Sequence, residues 1–327
     1  MSTERAVDPA TSPPADGGGA GRVFALARLG LAVLVLLAVS IALAKNWSPV
    51  ARHLADVSGP AWAFAIAVSL ASPILTVLGW RALLADLGSP LHLAPASGVF
   101  LVGQLGKYLP GSVWSVVAQT EMAARLGVPR RRTGIVGLVT MALALLTGAA
   151  VGLPAIPLLL RRGGGDSVWF VAVAAALLVL AFWPPLLNRM IALGLRVVRR
   201  EPLEHAFSGR ALLAAALWTT LAWLCTGAIT LAFAGEFVEQ GTSRWQLLII
   251  CLSGFCLASA VGMASVLLPA GVGVREGVLL LLLVTVMPTS AATAVVVLTR
   301  FVTVAADVIW AALGWAWART HHLLPDT

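Results

Sequence analysis

Long runs of apolar residues alternate with short polar segments along almost the whole chain. A helix that crosses a bilayer needs about 20 mostly apolar residues. Six stretches have this length and predict full crossings, at about 23–44, 61–80, 133–159, 168–187, 211–234 and 290–317. The pattern therefore predicts an all-α polytopic membrane protein.

Two further apolar regions, 94–125 and 245–287, are each interrupted near the middle. The first is broken at Leu109-Pro110-Gly111 and the second at LPAGVG, residues 268–273. Proline removes a backbone donor and clashes with the preceding turn, and glycine tolerates the unusual dihedrals that follow. Broken backbone at membrane depth must be buried in protein or line a wet cavity. We therefore expect six full transmembrane helices plus two re-entrant broken-helix hairpins, about eight spans in all.

The two breaks lie about half the chain apart, and the predicted topology makes the hairpins enter from opposite sides. Opposed broken helices in corresponding halves are typical of inverted-repeat transporters. No clear residue-level repeat accompanies them, so the break positions alone suggest an inverted repeat.

Composition supports the membrane assignment, because 59% of the residues are hydrophobic, only 11% are charged and the mean hydropathy is +0.94. Soluble domains carry about 25% charged residues. The net charge of +8 lies mainly in short loops, which favours orientation against an anionic leaflet over nucleic-acid binding. With the N-terminus inside, most basic loop residues are cytoplasmic. We expect a multi-pass protein of the cell membrane with both termini in the cytoplasm.

The terminal segments and the absence of known catalytic motifs complete the predicted domain organisation. Residues 1–22, rich in Pro, Gly, Ser and Asp, predict a disordered cytoplasmic tail, followed by a membrane domain over 23–320 and a short tail at 321–327. The cysteines fall in apolar spans without C-x-x-C spacing. No P-loop, H-E-x-x-H or Ser-centred elbow is present. We therefore expect no enzyme activity, no metal and no cofactor.

The first break carries a cation, because Lys107 lies three residues before Pro110 and one helical turn after Gln104. An unpaired lysine at mid-bilayer costs about 2.5–3.5 kcal/mol, so Lys107 should face the bundle interior or snorkel. A helix that restarts at about Ser112, with Ser112 as its N-cap, would present free N–H groups. A cation beside such a helix start suits a phosphate or carboxylate. The alternative is that Lys107 only caps a helix end.

The second break is followed by Arg275 and Glu276. A glutamate in a first turn is favourable, whereas an arginine there needs an anionic partner. Neighbours in a helix point apart, so we expect that partner to be a lipid phosphate or Asp307 and not Glu276. Arg300 and Asp307 share a face of the last helix, where they either lock helices together or take part in gating. Glu276 and Asp307 are the candidate proton carriers.

Two surface features complete the predictions. Glu121 and Arg125 have the i, i+4 spacing of a helical ion pair. Residues 188–200 predict a short basic amphipathic helix in the cytoplasmic interface.

Two motifs resemble a known family. The segment G-x-x-x-K-Y-L-P-G-S-V-W at 103–114 and the later P-x-G-x-G-x-R-E-G at 269–277 resemble two signatures of the membrane domain of lysylphosphatidylglycerol synthases, also called multiple peptide resistance factors. The resemblance covers about 23–320, and members of this family are often described as flippase-like. It places Lys107, Tyr108, Pro110 and Gly111, with Arg275 and Glu276, at the family's functional positions.

The resemblance implies a lipid flippase or transporter that moves an anionic, in some members aminoacylated, phospholipid between leaflets. The soluble aminoacyltransferase domain has no counterpart here, so we expect a stand-alone membrane module. The alternatives are a membrane-embedded enzyme or accessory subunit that modifies aminoacyl- or glycolipids, or a non-transporting scaffold for a partner membrane enzyme. The predicted substrate-binding residues are Gln104, Lys107, Tyr108, Pro110, Gly111, Ser112, Arg275 and Glu276.

Overall fold

The computed structural model describes residues 47–108, 113–159, 183–197, 206–265 and 271–321, with a few positions between 169 and 176. The predicted tail at 1–22, the predicted crossing at 23–44 and most of that at 168–187 lie outside the described residues. So do positions 109–112 and 266–270, at the centres of the two breaks.

The described residues form helices and connecting turns, with no strand among them. In chain order the helices are α1 (Trp47–Asp56), α2 (Gly59–Asp86), α3 (Leu93–Gly103), α4 (Trp114–Arg125), α5 (Arg130–Leu159), α6 (Pro184–Val197), α7 (Gly209–Ala234), α8 (Arg244–Ala264), α9 (Val274–Leu283) and α10 (Thr289–Thr320). A 3₁₀ turn, Gln104–Tyr108, continues α3, and α8 contains a π-turn at Ile249–Ser253.

Within the described part of the chain, five helices are long and apolar enough to cross a membrane: α2, α5, α7, α8 and α10. Four of them coincide with predicted crossings. The fifth, α8, occupies the first part of the second interrupted region. The chain is therefore an all-helical protein with several apolar helices of membrane-spanning length, as predicted.

Helices α2 and α7 form an antiparallel pair whose ends are joined reciprocally. Ser58 and Ser208 are the N-caps of α2 and α7, and each hydroxyl accepts a hydrogen bond from an amide in its own first turn. The Ser58 hydroxyl also donates to Glu236, just beyond the end of α7, at 2.6 Å. The Ser208 hydroxyl donates to Asp86, at the end of α2, at 2.6 Å. Each helix start is thus held by a carboxylate at the end of its partner.

The order of elements repeats in the two halves. Each half has a long helix (α2 or α7), two helices that flank a break (α3 and α4, or α8 and α9) and a second long helix (α5 or α10). Helix α3 packs against α10 and helix α8 packs against α5. The first hairpin helix of each half therefore contacts the last long helix of the other half. Glycines allow the close approach: a Cβ at Gly98 would lie 2.5 Å from the Trp317 ring, and one at Gly152 would lie 2.5 Å from the backbone nitrogen of Leu257.

The two helices that flank the first break, α3 and α4, run side by side in opposite directions. A Cβ at Gly103 would lie 2.5 Å from Cγ of Gln119, and a Cβ at Gly106 would collide with the backbone nitrogen of Ser115. Pairing of 103 with 119 and of 106 with 115 shows that α3 with its 3₁₀ turn and α4 form a helical hairpin.

The two helices that flank the second break, α8 and α9, are paired in the same way. A Cβ at Gly271 would lie 2.8 Å from Cα of Gly262, and one at Gly254 would lie 2.8 Å from the Leu282 side chain. Gly271 and Gly273 have φ values of +65° and +86°, which L-residues with side chains rarely adopt. These glycines let the chain turn tightly into α9, and α8 and α9 form the second helical hairpin.

Two apolar clusters fill opposite ends of the bundle. The first surrounds the end of α2 and the start of α7, with Trp80, Leu83, Phe100, Leu143 and Leu212 fully or almost fully buried. The second surrounds the start of α2 and the end of α7, with Ala65, Phe233, Ile250, Phe255 and Leu282 equally buried. The middle parts of the long helices lie between these clusters.

Helix α6 agrees in position with the predicted amphipathic segment at 188–200, although it begins four residues earlier. Leu187 is buried in the first cluster, whereas Met190 and Leu193 on the same helix are exposed. The Asn188 amide donates to the backbone oxygen of Phe207, which ties α6 to the start of α7.

Candidate functional site

A cavity of about 480 Å³ lies between the two apolar clusters. It is lined by the middle parts of α2, α5, α7 and α10 and by both helical hairpins. Its charged lining residues, within the described chain, are Lys107, Arg275, Arg300 and Asp307. The two breaks that the sequence marks therefore meet at one cavity.

The first hairpin is joined to α10 through a shared carboxylate. Lys107 Nζ lies 2.7 Å from Asp307 Oδ2, and the Tyr108 hydroxyl donates to the same oxygen at 2.6 Å. The side chains of Lys107 and Asp307 are 37% and 18% exposed. The 3₁₀ turn has about three residues per turn, so Gln104 and Lys107 lie on one side, and both line the cavity. This confirms that these two residues share a face.

The second hairpin is joined to α10 through Glu276. Its Oε1 lies 3.5 Å from Arg275 Nη2 and 3.7 Å from Arg300 Nε. Its Oε2 accepts a hydrogen bond of 2.7 Å from the Gly273 amide and so caps α9. Oε1 is buried, and its contacts with the two guanidinium groups are ion pairs longer than a typical hydrogen bond. It therefore has no hydrogen-bond partner among the described residues.

The prediction that Glu276 would not pair with Arg275 is wrong. The rule that adjacent residues point apart applies to helix interiors, whereas Glu276 folds back over the helix start to cap it and so brings its carboxylate to the neighbouring guanidinium. Asp307, the other partner considered for Arg275, is paired with Lys107 instead.

Aromatic rings lie beside the cations of the cavity. The Tyr108 ring centre lies 5.4 Å from Lys107 Nζ and 5.8 Å from the Arg300 guanidinium carbon. The Arg275 guanidinium lies 5.6 Å from the Phe255 ring centre. Ring faces attract cations, and the effect is larger away from water. Each of the three cations thus lies beside an aromatic ring.

The charge balance of this cluster is positive. Three cations face Asp307 in the cavity and Glu276 beside it, which leaves one positive charge in excess within the described site. An uncompensated buried charge is costly, so the cavity favours an anionic ligand.

Most of the predicted substrate-binding residues converge here. Gln104, Lys107, Tyr108 and Arg275 line the cavity, and Glu276 reaches it through its ion pairs. Arg300 and Asp307 lie in it as well, and each forms an ion pair between α10 and a hairpin.

The remaining predicted residues, Pro110, Gly111 and Ser112, lie outside the described residues. Helix α4 begins at Trp114, with Val113 at the cap position. The predicted N-cap role of Ser112 falls on a residue outside the described ones.

The predicted pair of Glu121 with Arg125 is also replaced by a contact across a turn. Arg130, at the start of α5, donates two hydrogen bonds to Glu121, of 3.0 and 2.9 Å. Both side chains are more than half exposed, and neither residue lines the cavity.

Sequence reasoning missed the uncharged polar wall of the cavity. Hydroxyl and amide residues from six helices line it, namely Ser69, Ser72, Thr76, Gln119, Thr140, Thr219, Thr226, Ser259 and Thr303. The available signal was the helical spacing of Ser69, Ser72 and Thr76 in an otherwise apolar span.

A comparison with protein families agrees with the motif resemblance. The family model described as the lysylphosphatidylglycerol synthase TM region matches residues 24–311, which include both breaks and every charged residue of the cavity. A search of curated proteins gave no match. The chain therefore belongs to the lysylphosphatidylglycerol synthase transmembrane-region family.

Proposed function

We propose that the protein is a lipid flippase or transporter that binds an anionic phospholipid headgroup between its two broken helices. The observation that carries the proposal is the positive cavity, where Lys107, Arg275 and Arg300 converge inside a bundle of apolar helices. Family membership supports it, because the motif resemblance implies a flippase-like membrane domain and the same family model matches the chain.

The ion pairs suggest how a headgroup would enter. Asp307 pairs with Lys107, and Glu276 is shared between Arg275 and Arg300 over longer distances. A phosphate competes with these carboxylates for the same cations, and arginine binds phosphate oxygens particularly well. The long contacts of Glu276 are the easier ones to exchange. The freed carboxylates are then available to take up protons, which would couple lipid movement to a proton gradient.

The paired halves support an inverted repeat. Helices α2 and α7 are antiparallel with reciprocal end contacts, and each half places a hairpin against the other half's last long helix. In this proposal six full crossings surround two re-entrant hairpins, which act as the gates of an alternating-access cycle. The protein would lie in the cell membrane with both termini in the cytoplasm.

Reconstitution tests the proposal. Liposomes with the purified protein and a fluorescent phosphatidylglycerol are assayed by dithionite quenching, for the wild type and for Lys107→Ala and Arg275→Ala. We expect both variants to translocate lipid at the rate of protein-free liposomes. Arg130→Ala is the matched control, because it removes an exposed ion-pair cation that does not line the cavity. Full translocation by both cavity variants would refute the proposal.

A further inference from the structure

The two helical hairpins are joined to α10 by links of different kinds. Arg300 and Asp307 lie about two helical turns apart on one face of α10. Asp307 contacts Lys107 and Tyr108 of the first hairpin, and these contacts form the first link. Arg300 contacts Glu276 of the second hairpin, and this contact forms the second link. Helix α10 therefore holds both hairpins at the cavity.

The second link is a charge contact without a hydrogen bond. Glu276 Oε1 lies 3.7 Å from Arg300 Nε and has no hydrogen-bond partner among the described residues. Glu276 Oε2 accepts from the Gly273 amide, a bond that stays within the second hairpin and does not reach α10. A phosphate offers a guanidinium group shorter, bidentate hydrogen bonds. A phosphate bound to Arg300 in the cavity therefore replaces the second link completely.

The first link has a part that does not depend on a cation. Lys107 Nζ lies 2.7 Å from Asp307 Oδ2, and the Tyr108 hydroxyl donates to the same oxygen at 2.6 Å. The Asp307 side chain is only 18% exposed, so its carboxylate needs another donor once Lys107 turns to a phosphate. Within the described residues Tyr108 is the donor that remains. Transfer of its hydroxyl to the phosphate would leave the carboxylate without a partner, which is unfavourable.

We infer that Tyr108 is a positioning residue, which keeps the first hairpin joined to α10 while a phosphate group occupies the cavity, so that the phosphate releases only the second hairpin. The inference rests on the proposed function for the binding of the phosphate. An alternating-access transporter opens one gate at a time. A neutral hydrogen bond in one link and a purely charged contact in the other give the two hairpins this fixed order.

Hydrogen exchange followed by mass spectrometry tests the inference on the delipidated full chain in dodecyl maltoside, a detergent without phosphate. Inorganic phosphate or phosphatidylglycerol is added at constant ionic strength, and native mass spectrometry of the same samples measures phospholipid binding. We expect exchange in α9, Val274–Leu283, to rise about tenfold, while exchange in the 3₁₀ turn, Gln104–Tyr108, stays unchanged. A response to both probes would assign the release to the phosphate group itself, and a response to phosphatidylglycerol alone would assign it to the lipid.

Tyr108→Phe removes the hydroxyl and keeps the ring beside Lys107 and Arg300. Without phosphate, exchange in the 3₁₀ turn should stay close to the wild-type rate, because Lys107 still pairs with Asp307. With phosphate it should rise about tenfold or more, because Asp307 then loses both donors. A hydroxyl with a merely structural role would raise exchange equally in the two conditions.

Thr299→Val is the matched control. The Thr299 hydroxyl also joins α10 to another helix, since it donates to Thr230 on α7 at 3.5 Å, but neither residue lines the cavity. This variant should leave the response of both hairpins to phosphate unchanged.

The outcomes separate the two proposals. Bound phosphatidylglycerol with equal changes in both hairpins would overturn the role of Tyr108 and leave the anion site intact. The same holds if Tyr108→Phe raises exchange equally with and without phosphate. Failure of phosphatidylglycerol to bind would overturn the proposed function, and the role of Tyr108 with it.

Discussion

Burial should decide how strongly each ion pair holds the fold. The pair Lys107–Asp307 has an N–O distance of 2.7 Å and side chains that are 37% and 18% exposed. The pair Arg130–Glu121 has a similar distance of 2.9 Å, but its side chains are 65% and 57% exposed. Exposed pairs contribute about 0.2–1 kcal/mol. Loss of one partner of a fully buried pair costs about 3–5 kcal/mol. The half-buried cavity pair should lie between, with a coupling energy of about 1–3 kcal/mol.

Two double-mutant cycles measure this difference. The first uses Lys107→Met, Asp307→Asn and the double variant, and the second uses Arg130→Met, Glu121→Gln and their double variant. The free energy of unfolding is followed by tryptophan fluorescence during denaturation in mixed micelles. Each single cavity variant should be markedly destabilised because it leaves a charge unpaired, and the double variant should recover part of the loss. Equal coupling energies in the two cycles would refute the argument from burial.

Two further predictions concern the backbone and the helix ends. Gly106→Ala should destabilise the protein by about 1–3 kcal/mol, because its Cβ would collide with the backbone of Ser115, whereas Gly59→Ala, with nothing within 4 Å, should change stability by less than about 0.5 kcal/mol. The same unfolding assay checks both, and equal effects would contradict the close packing of the first hairpin. Ser58→Ala and Ser208→Ala should each cost about 1 kcal/mol or more, because each removes an N-cap and a bond to the partner helix. A loss in only one of them would contradict the reciprocal arrangement.

The sequence alone predicted the features that depend on local chemistry. Apolar length predicted four of the described long helices, because a run of about 20 apolar residues is stable in lipid only as a helix. Proline and glycine located the two breaks. The cost of an unpaired cation in an apolar region predicted that Lys107 faces the interior or snorkels, and the helix dipole predicted an anionic partner for Arg275. Both residues line the cavity.

Only the tertiary structure decided which groups meet. Tyr108 and Asp307 are far apart in the chain, yet they share a hydrogen bond, and Glu276 joins Arg300 because α9 and α10 pack together. Spacing along a helix describes neighbours on one helix, so it gave the wrong partner for Glu121 and excluded the true one for Arg275.

The polar wall of the cavity follows the same division. Serine and threonine in apolar helices are common because their hydroxyls bond to the backbone of the preceding turn, and the sequence does not show which of them face a cavity. The packing of α2, α5 and α7 around one space sets that choice for Ser72, Thr140 and Thr219. The sequence thus determined where the long apolar helices lie and where the two breaks fall, while the long-range packing of those helices determined the charge and hydrogen-bonding character of the site.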